Sequence, residues 1–236
     1  MQEKRKSTLI NIISAFATLI CLVLFLASIC FLTFSLCFSK TRVRGYSMRP
    51  TINSNVQDPN IDGDIVYINP NVALTRNSIV VANVDWWQKG AVIKRLVGLP
   101  GDCVQIEETS STYDLKVNGE LIYSKQKYDN GNLNLSVKNY YRHKYLTFIN
   151  NNVEIEGEPI DHSANIGEFE GEPCIVIGEN EYFLIGDNWS DGMVDSMTYG
   201  PTQKQNIVGT VQLIVDVKEN SFAKVGKEIL KILFSV

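Results

Sequence analysis

Ser47 lies in a setting that favours covalent chemistry. It belongs to the stretch Gly45-Tyr46-Ser47-Met48-Arg49-Pro50-Thr51, in which the glycine permits a bend just before the serine. A serine hydroxyl is a weak nucleophile until a base removes its proton. Taken alone, the motif is also typical of a serine in an ordinary turn. The prediction of a nucleophile therefore depends on a base elsewhere in the chain.

Lys94 is the candidate for that base. It lies in Ala91–Val97 (AVIKRLV), a run of β-branched and aliphatic residues that predicts a buried strand. A lysine is protonated at neutral pH and becomes a base only when burial lowers its pKa, normally about 10.4, by several units. Because side chains alternate along a strand, Arg95 should lie on the opposite face. The alternative is an ordinary strand lysine whose ammonium group lies in solvent.

A third block of polar residues follows at Gly186-Asp187-Asn188 and at Asp195-Ser196. A Gly-Leu-Pro-Gly-Asp turn, residues 98–102, lies between it and Lys94. In this order and at these distances, the blocks resemble those of the type I signal peptidases. These are membrane-bound Ser/Lys endopeptidases that cut signal peptides from exported proteins. The resemblance extends from the N-terminal anchor to about Val217 and is closest to the single-anchor, Gram-positive members.

The resemblance implies a role for each matching residue. Ser47 would attack the scissile carbonyl, and Lys94 would deprotonate it and later protonate the leaving amine. The backbone N–H of Ser47 would face the oxyanion, while Gly45 stands where some members carry a second, hydroxyl donor. The substrate would bind in extended form beside a strand. The family's pocket is small and apolar and accepts Ala-x-Ala ends, and the residues at its positions here are Met48, Pro50, Val92 and Ile93.

The third block departs from the family pattern, which reads Gly-Asp-Asn-Arg, two residues, Ser, one residue, Asp-Ser-Arg. Trp189 replaces the first arginine and Met197 the second, and one residue is inserted before Asp195. Asp195 has therefore lost the expected arginine partner. The departure allows a second hypothesis, in which the chain is a non-catalytic or dedicated assembly factor for a secreted or surface structure such as a pilus. Retention of both Ser47 and Lys94 favours the peptidase.

The residue that orients Lys94 is left open by the sequence. The family serine that hydrogen-bonds the catalytic lysine falls on Gly192 or Met193 here, depending on where the insertion is placed. Ser190 and Ser196 are the alternatives.

Three other chemistries fit the sequence less well. Self-cleaving repressors also use a Ser/Lys pair, but they carry a DNA-binding helical domain that has no counterpart here. The Ser/His signal peptidases need histidine where Lys94 stands, and His143 and His162 fall in a polar region typical of the surface. Nothing in the sequence places Asp187 and Asp195 face to face as an aspartic pair.

The N-terminal segment predicts a membrane anchor. Residues 7–39 carry no charge, and 33 helical residues span ~50 Å against a hydrocarbon thickness of ~30 Å. This is about twice the apolar length of a signal peptide and lacks an Ala-x-Ala site, so we expect an uncleaved anchor. Basic residues in 1–6 place that tail in the cytoplasm and the catalytic domain on the outer face. Lys40, Arg42 and Arg44 weaken this assignment, which the family resemblance supports.

The remainder of the chain predicts a mainly β, antiparallel catalytic domain at 40–221. Short runs rich in β-branched residues end in Gly, Asn or Asp, and Asn118-Gly119 predicts a tight hairpin. Residues 125–172 are polar and weakly periodic, which indicates an inserted lobe. Residues 222–236 have the apolar spacing of a short amphipathic helix, packed or on the membrane surface.

Composition excludes several partners and cofactors. The net charge of −4 and the absence of a basic, aromatic-interleaved patch argue against nucleic acid. Two distant histidines and five cysteines without metal spacing predict neither a metal site nor any cofactor. Three cysteines lie in the apolar segment, and a bridge between Cys103 and Cys174 is possible but not favoured. The expected partners are signal-peptide-bearing preproteins and the lipid bilayer.

Overall fold

The computed structural model describes residues 2–58, 60–87, 90–129, 132–133, 143–155, 157–189, 194–216 and 226–227. It divides into two compact units, residues 1–39 and residues 40–236. The first is dominated by a single helix and the second by β-sheets, in agreement with the predicted fold class.

The helix of the first unit, α1, runs without a break from Gln2 to Cys37. Its portion Ile10–Cys37 is long enough to cross a membrane and contains an 18-residue window with a mean hydropathy of 2.8. Hydroxyl groups within it donate to carbonyl oxygens one turn earlier, as Ser28 does to Leu24 at 2.8 Å. Such bonds satisfy polar side chains inside the helix, as an apolar environment requires.

The second unit contains a seven-stranded sheet that positions the candidate site. Its order is β1-β2-β16-β3-β4-β14-β15, and neighbours from β2 to β15 pair antiparallel. The strands are β1 (Ser39–Arg42), β2 (Ile65–Asn69), β3 (Ile79–Ala82), β4 (Val92–Gly98), β14 (Glu181–Ile185), β15 (Thr202–Gln203) and β16 (Ile207–Val215).

A five-stranded sheet of order β12-β13-β5-β6-β7 forms the other large layer. Its strands are β5 (Cys103–Glu108), β6 (Thr112–Val117), β7 (Glu120–Gln126), β12 (Ile166–Phe169) and β13 (Glu172–Val176). The predicted hairpin is confirmed, because Asn118 and Gly119 join β6 to β7 with φ of 51° and 78°. Two small ladders pair β8 (Tyr128–Asp129) with β9 (Asn132–Leu133) and β10 (Val153–Ile155) with β11 (Glu158–Ile160).

Some residues of the predicted inserted lobe contribute to the core of the second unit. Tyr145 and Phe148, on the short helix α2 (Lys144–Ile149), are buried in the same core cluster as residues of β5 and β6. His162, expected at the surface, is 4% exposed and stacks on Phe148 at 4.2 Å. Apolar residues scattered through this polar stretch therefore reach the core. The sequence did not indicate them, because the stretch is only weakly periodic.

Two further expectations concern the disulfide and the C-terminus. Cys103 and Cys174 form a disulfide across 71 residues, which the sequence did not favour. The bridge arises because β13 pairs with β5, a neighbour relation that exists only in the folded sheet. Of the predicted C-terminal helix at 222–236, only Gly226 and Lys227 fall within the described residues, where they are helical.

Candidate active site

Strand β4 places Lys94 in an apolar environment. Val80 of β3 is its direct cross-strand partner, and alternation puts Val92 and Leu96 on the same face of the sheet. Val80 and Leu96 are completely buried, and Lys94 itself is 4% exposed. The strand is buried because its residues are apolar on both faces, so the lysine is carried into the interior by its neighbours.

Burial lowers the pKa of Lys94 from its ordinary value, because the charged ammonium loses its hydration. The negative charges of Asp195 and, more weakly, Asp187 oppose this effect and raise the pKa. Among the described residues, the Lys94 side chain has no hydrogen-bond or ion-pair partner. These are the conditions under which a lysine can act as a base.

Ser47 lies half-buried in a tight turn between β1 and β2. The turn is closed by the N–H of Arg49, which donates to the carbonyl of Tyr46 at 3.0 Å, and by the N–H of Ile52, which donates to Met48 at 2.9 Å. Gly45 enters it with a φ of 86°, a conformation that side chains disfavour. The bend expected before the serine is therefore present.

The Gly-Asp-Asn segment is hydrogen-bonded directly to this turn. The backbone N–H of Asn188 donates to the carbonyl of Ser47 at 2.9 Å, and its side-chain amide donates to Tyr46 at 3.1 Å. A Cβ at Gly186 would lie 2.6 Å from the Ser47 carbonyl oxygen and 3.6 Å from the Ser47 Cβ. Only glycine allows so close an approach.

Gly186 also connects this segment to the surroundings of Lys94. It directly follows Ile185, the last residue of β14, which pairs with Arg95 on β4. Its N–H donates to Asp195, whose charge acts on Lys94. Ser47 and Lys94, which are 47 positions apart in the sequence, therefore both have a link to Gly186.

Asp187 forms the best-defined ion pair of the site. Its two carboxylate oxygens accept from Arg95 Nε at 2.7 Å and Nη2 at 2.5 Å, and Thr51 donates to it at 2.5 Å. The hydrogen bond and charge of Asp187 raise the pKa of Arg95. Thr51, whose role the sequence did not reveal although it lies in the serine motif, joins the Ser47 turn to strand β4.

Asp195 is completely buried and accepts hydrogen bonds from the N–H groups of Gly186 and Met197, both at 3.1 Å. It caps the four-residue helix α3 (Ser196–Tyr199). Burial raises the pKa of Asp195 to about 6, although Lys94 and the two backbone donors lower it. A carboxylate that loses water in this way binds a proton more readily.

The two arginine positions of the family are occupied by core residues here. Trp189 is 4% exposed and packs edge-on against Tyr123, with ring centroids 6.1 Å apart. Met197 is fully buried in the same core cluster. Of the predicted orienters of Lys94, Ser196 is buried and accepts from the N–H of Leu184 at 3.0 Å. Ser190, Gly192 and Met193 lie outside the described residues.

The four predicted pocket residues differ in their surroundings. Met48 and Ile93 are buried in one apolar cluster, together with Ile52 and Val81. Val92 belongs to a different cluster, because adjacent residues of a strand face opposite sides. Pro50 is exposed. That these four residues shape a substrate pocket stays a prediction.

Comparisons with known proteins agree with the resemblance. The family described as signal peptidase, peptidase S26, matches residues 10–216. Signal peptidase I P of Bacillus subtilis subsp. natto is 26% identical over 218 residues, covering 90% of this chain and 92% of that protein. Signal peptidase I of Streptococcus pneumoniae is 28% identical over 178 residues, covering 73% and 79%.

A crystal structure of a signal peptidase I from Enterococcus faecalis is similar at 20% identity and a TM-score of 0.32, covering 59% of this chain and 97% of that one. The family match extends over most of the sequence and includes the N-terminal helix, the Ser47 turn, β4 and the Gly-Asp-Asn segment. The chain belongs to the signal peptidase family, peptidase S26, and is a membrane-anchored hydrolase of the kind that removes signal peptides.

Proposed function

We propose that this protein cleaves the signal peptides of exported preproteins after small residues, through a dyad of Ser47 and Lys94. The observation that carries the proposal is the position of Lys94, 4% exposed on β4 with a lowered pKa. An unpaired buried cation destabilises a fold, so burial favours the neutral form of the lysine. A lysine that is neutral near the working pH can accept the proton of a serine.

The reaction takes place in two steps. The Ser47 oxygen attacks the scissile carbonyl while its proton passes to the Lys94 amine, and the tetrahedral oxyanion faces the backbone N–H of Ser47. Lys94 then returns the proton to the leaving amine, which departs as the new N-terminus of the exported chain. In the second step a water molecule attacks the acyl-enzyme as Lys94 takes its proton, and Lys94 then gives that proton to the Ser47 oxygen as the signal peptide is released.

We also propose a membrane arrangement, which the length and apolar composition of the N-terminal helix support. Ile10–Cys37 would span the bilayer once, with the N-terminus in the cytoplasm and residues after Ser39 on the outer face. Ser47 follows the end of α1 by ten residues. The cleavage site of a translocated signal peptide is delivered near the same membrane surface.

A second candidate is a dedicated or non-catalytic role in the assembly of a surface structure. It is favoured by the loss of both family arginines to buried Trp189 and Met197. The proposed dyad does not depend on either arginine, because Asp195, which has lost its arginine partner, accepts from the N–H groups of Gly186 and Met197 instead. General peptidase activity is therefore the stronger proposal.

The test is cleavage of preproteins with Ala-x-Ala ends by the full-length chain in detergent. Wild type should cleave, while Ser47→Ala and Lys94→Ala should lose at least about a thousandfold in rate. Ser111→Ala and Lys204→Ala, at exposed positions outside the site, are the matched controls. If folded wild type cleaves none of several preproteins, the general peptidase is wrong and the dedicated role replaces it.

A further inference from the structure

Arg49 is an immobilised cation beside the candidate nucleophile. It lies two residues after Ser47, and its side chain is half-buried. Its guanidinium carbon lies 3.6 Å from the centroid of the Tyr46 ring, and its Nε donates to the carbonyl of Asn53 at 3.0 Å. Stacking together with a hydrogen bond fixes the plane of the guanidinium.

Both supports of Arg49 are themselves fixed. The Tyr46 hydroxyl donates to the carbonyl of Gln57, and the Tyr46 carbonyl accepts from the Asn188 side chain. Asn53 is completely buried, and its backbone N–H donates to Asp64 at 2.7 Å. A cation held in this way loses little conformational entropy when it binds a ligand.

The terminal amino groups of Arg49 have no acceptor among the described residues. Three other arginines of the second unit pair with a carboxylate: Arg44 with Asp62, Arg76 with Asp102, and Arg95 with Asp187. Within the same described part of the chain, no carboxylate lies at ion-pair distance from Arg49. Its fork of N–H donors, which matches a carboxylate in geometry, is available to a ligand.

We propose that Arg49 binds an acidic side chain among the first four residues of the exported chain, just after the cleaved bond. This inference rests on the proposed function. The two alanine positions before the bond must be small to enter an apolar pocket, which leaves charged side chains to the middle position and to the positions after the bond.

The reach of Arg49 fits this range. Its Cα lies at most ~7 Å from that of Ser47, and its side chain adds roughly the same length again. An extended substrate advances about 3.3 Å per residue, so about four residues fall within reach. A charge-assisted bond at a half-exposed site should give a moderate preference and no absolute requirement.

The test uses peptides with one Ala-x-Ala cleavage site that differ at a single position, the first to the fourth after the bond, as Glu, Gln or Lys. For the full-length enzyme in detergent, we expect kcat/KM at one of these positions to be roughly fivefold to tenfold higher for Glu than for Gln, and lower still for Lys. The preference should appear mainly in KM and weaken with added salt.

Variants connect the preference to Arg49. Arg49→Gln should bring the Glu to Gln ratio close to one, and Arg49→Glu should reverse the order so that Lys is preferred. Arg49→Lys, which keeps the charge but loses the planar fork, should retain part of the preference. Arg44→Gln is the matched control, because Arg44 is already paired with Asp62, and it should leave the Glu to Gln ratio of wild type.

Each outcome bears on one claim. If wild type cleaves all peptides with kcat/KM values within twofold of one another, the Arg49 site is wrong and the proposed peptidase stands. If the preference for Glu persists in Arg49→Gln, another residue binds the acidic side chain of the substrate and the inference is wrong. If no peptide of the series is cleaved, the proposed function fails first.

Discussion

Asp187 and Asp195 lie eight positions apart in one segment, yet their surroundings are opposite. Asp187 is held by Nε and Nη2 of Arg95 and by the Thr51 hydroxyl. Asp195 is completely buried and bonded to two backbone N–H groups. The charge of Asp187 is balanced by the Arg95 cation, while burial raises the pKa of Asp195 to about 6.

The difference suggests that one carboxylate positions the groups of the site and that the other adjusts the pKa of Lys94. The pair of Asp187 with Arg95 connects the Gly-Asp-Asn segment to β4 and, through Thr51, to the Ser47 turn. Asp195 forms no such link, but its charge acts on Lys94 and raises the pKa of that amine. One end of the segment therefore fixes where the groups lie, and the other influences how readily Lys94 binds a proton.

The largest effect should come from comparing the neighbours Lys94 and Arg95. Lys94→Met should lower kcat/KM by about 10³-fold or more, because the base is lost, with little loss of stability since a desolvated cation is removed. Arg95→Met should retain measurable activity but lower the free energy of unfolding by about 1–3 kcal/mol, because Asp187 is left without its cation. Cleavage kinetics and thermal unfolding in detergent measure both.

The opposite result would contradict the division of roles. If Lys94→Met kept most of its activity, or if Arg95→Met abolished activity without a change in the unfolding temperature, Arg95 and not Lys94 would be the functional cation of β4.

The next effect concerns the contact between the segment and the nucleophile. Gly186→Ala would place a Cβ 2.6 Å from the Ser47 carbonyl oxygen, so the Ser47 turn must move. A displacement of about 1 Å at a nucleophile can cost about 10²-fold in rate, and we expect a loss of this order in kcat. Gly226→Ala, where the added Cβ meets open space, is the control. Equal rates for both variants would mean that Gly186 does not set the position of Ser47.

Asp195→Asn should move the pH dependence of cleavage. Activity should rise with pH as Lys94 loses its proton, and ionised Asp195 delays this because it raises the Lys94 pKa. Without the charge, the acid limb of kcat/KM should shift to lower pH by roughly half a unit to one unit. Asn keeps one of the two acceptor oxygens, so the plateau should fall somewhat. Asp114→Asn, on the exposed side of β6, is the control.

The same variant tests stability against pH. The Asp195 pKa is higher in the folded protein than in the unfolded chain, so its contribution is fully present below about pH 4 and lost as pH rises through about 6. Asp195→Asn should remove that part of the pH dependence of the unfolding temperature. An unchanged slope between pH 4 and 6 would show that Asp195 is not desolvated.

The sequence predicted those features of the site that depend on local pattern. The burial of Lys94 follows from the β-branched run of β4, and the bend at Gly45 from a glycine beside a serine. The same alternation explains why Val92 and Ile93 belong to different apolar clusters. The catalytic roles of Ser47 and Lys94 stay predictions.

Long-range relations could not be predicted. The disulfide between Cys103 and Cys174 and the contact of Thr51 with Asp187 both join residues that meet only through sheet pairing. The burial of Trp189 was also hidden, because a family pattern that carries arginine there suggests an ion pair and not a core position. Single sequences contain little information about which distant strands become neighbours.

The smallest expected effect separates the two functions of the Asp187 region, ion pairing and support of the Ser47 turn. Thr51→Val removes the hydroxyl that donates to Asp187 but keeps the shape of the side chain and the Arg95 pair. The loss should be about 0.5–1.5 kcal/mol in the free energy of unfolding and a few-fold in kcat, and Thr51→Ser should restore most of both. If Thr51→Val matched wild type in kcat while Arg95→Met did not, the ion pair alone would hold the nucleophile turn, and the hydroxyl would be incidental to it.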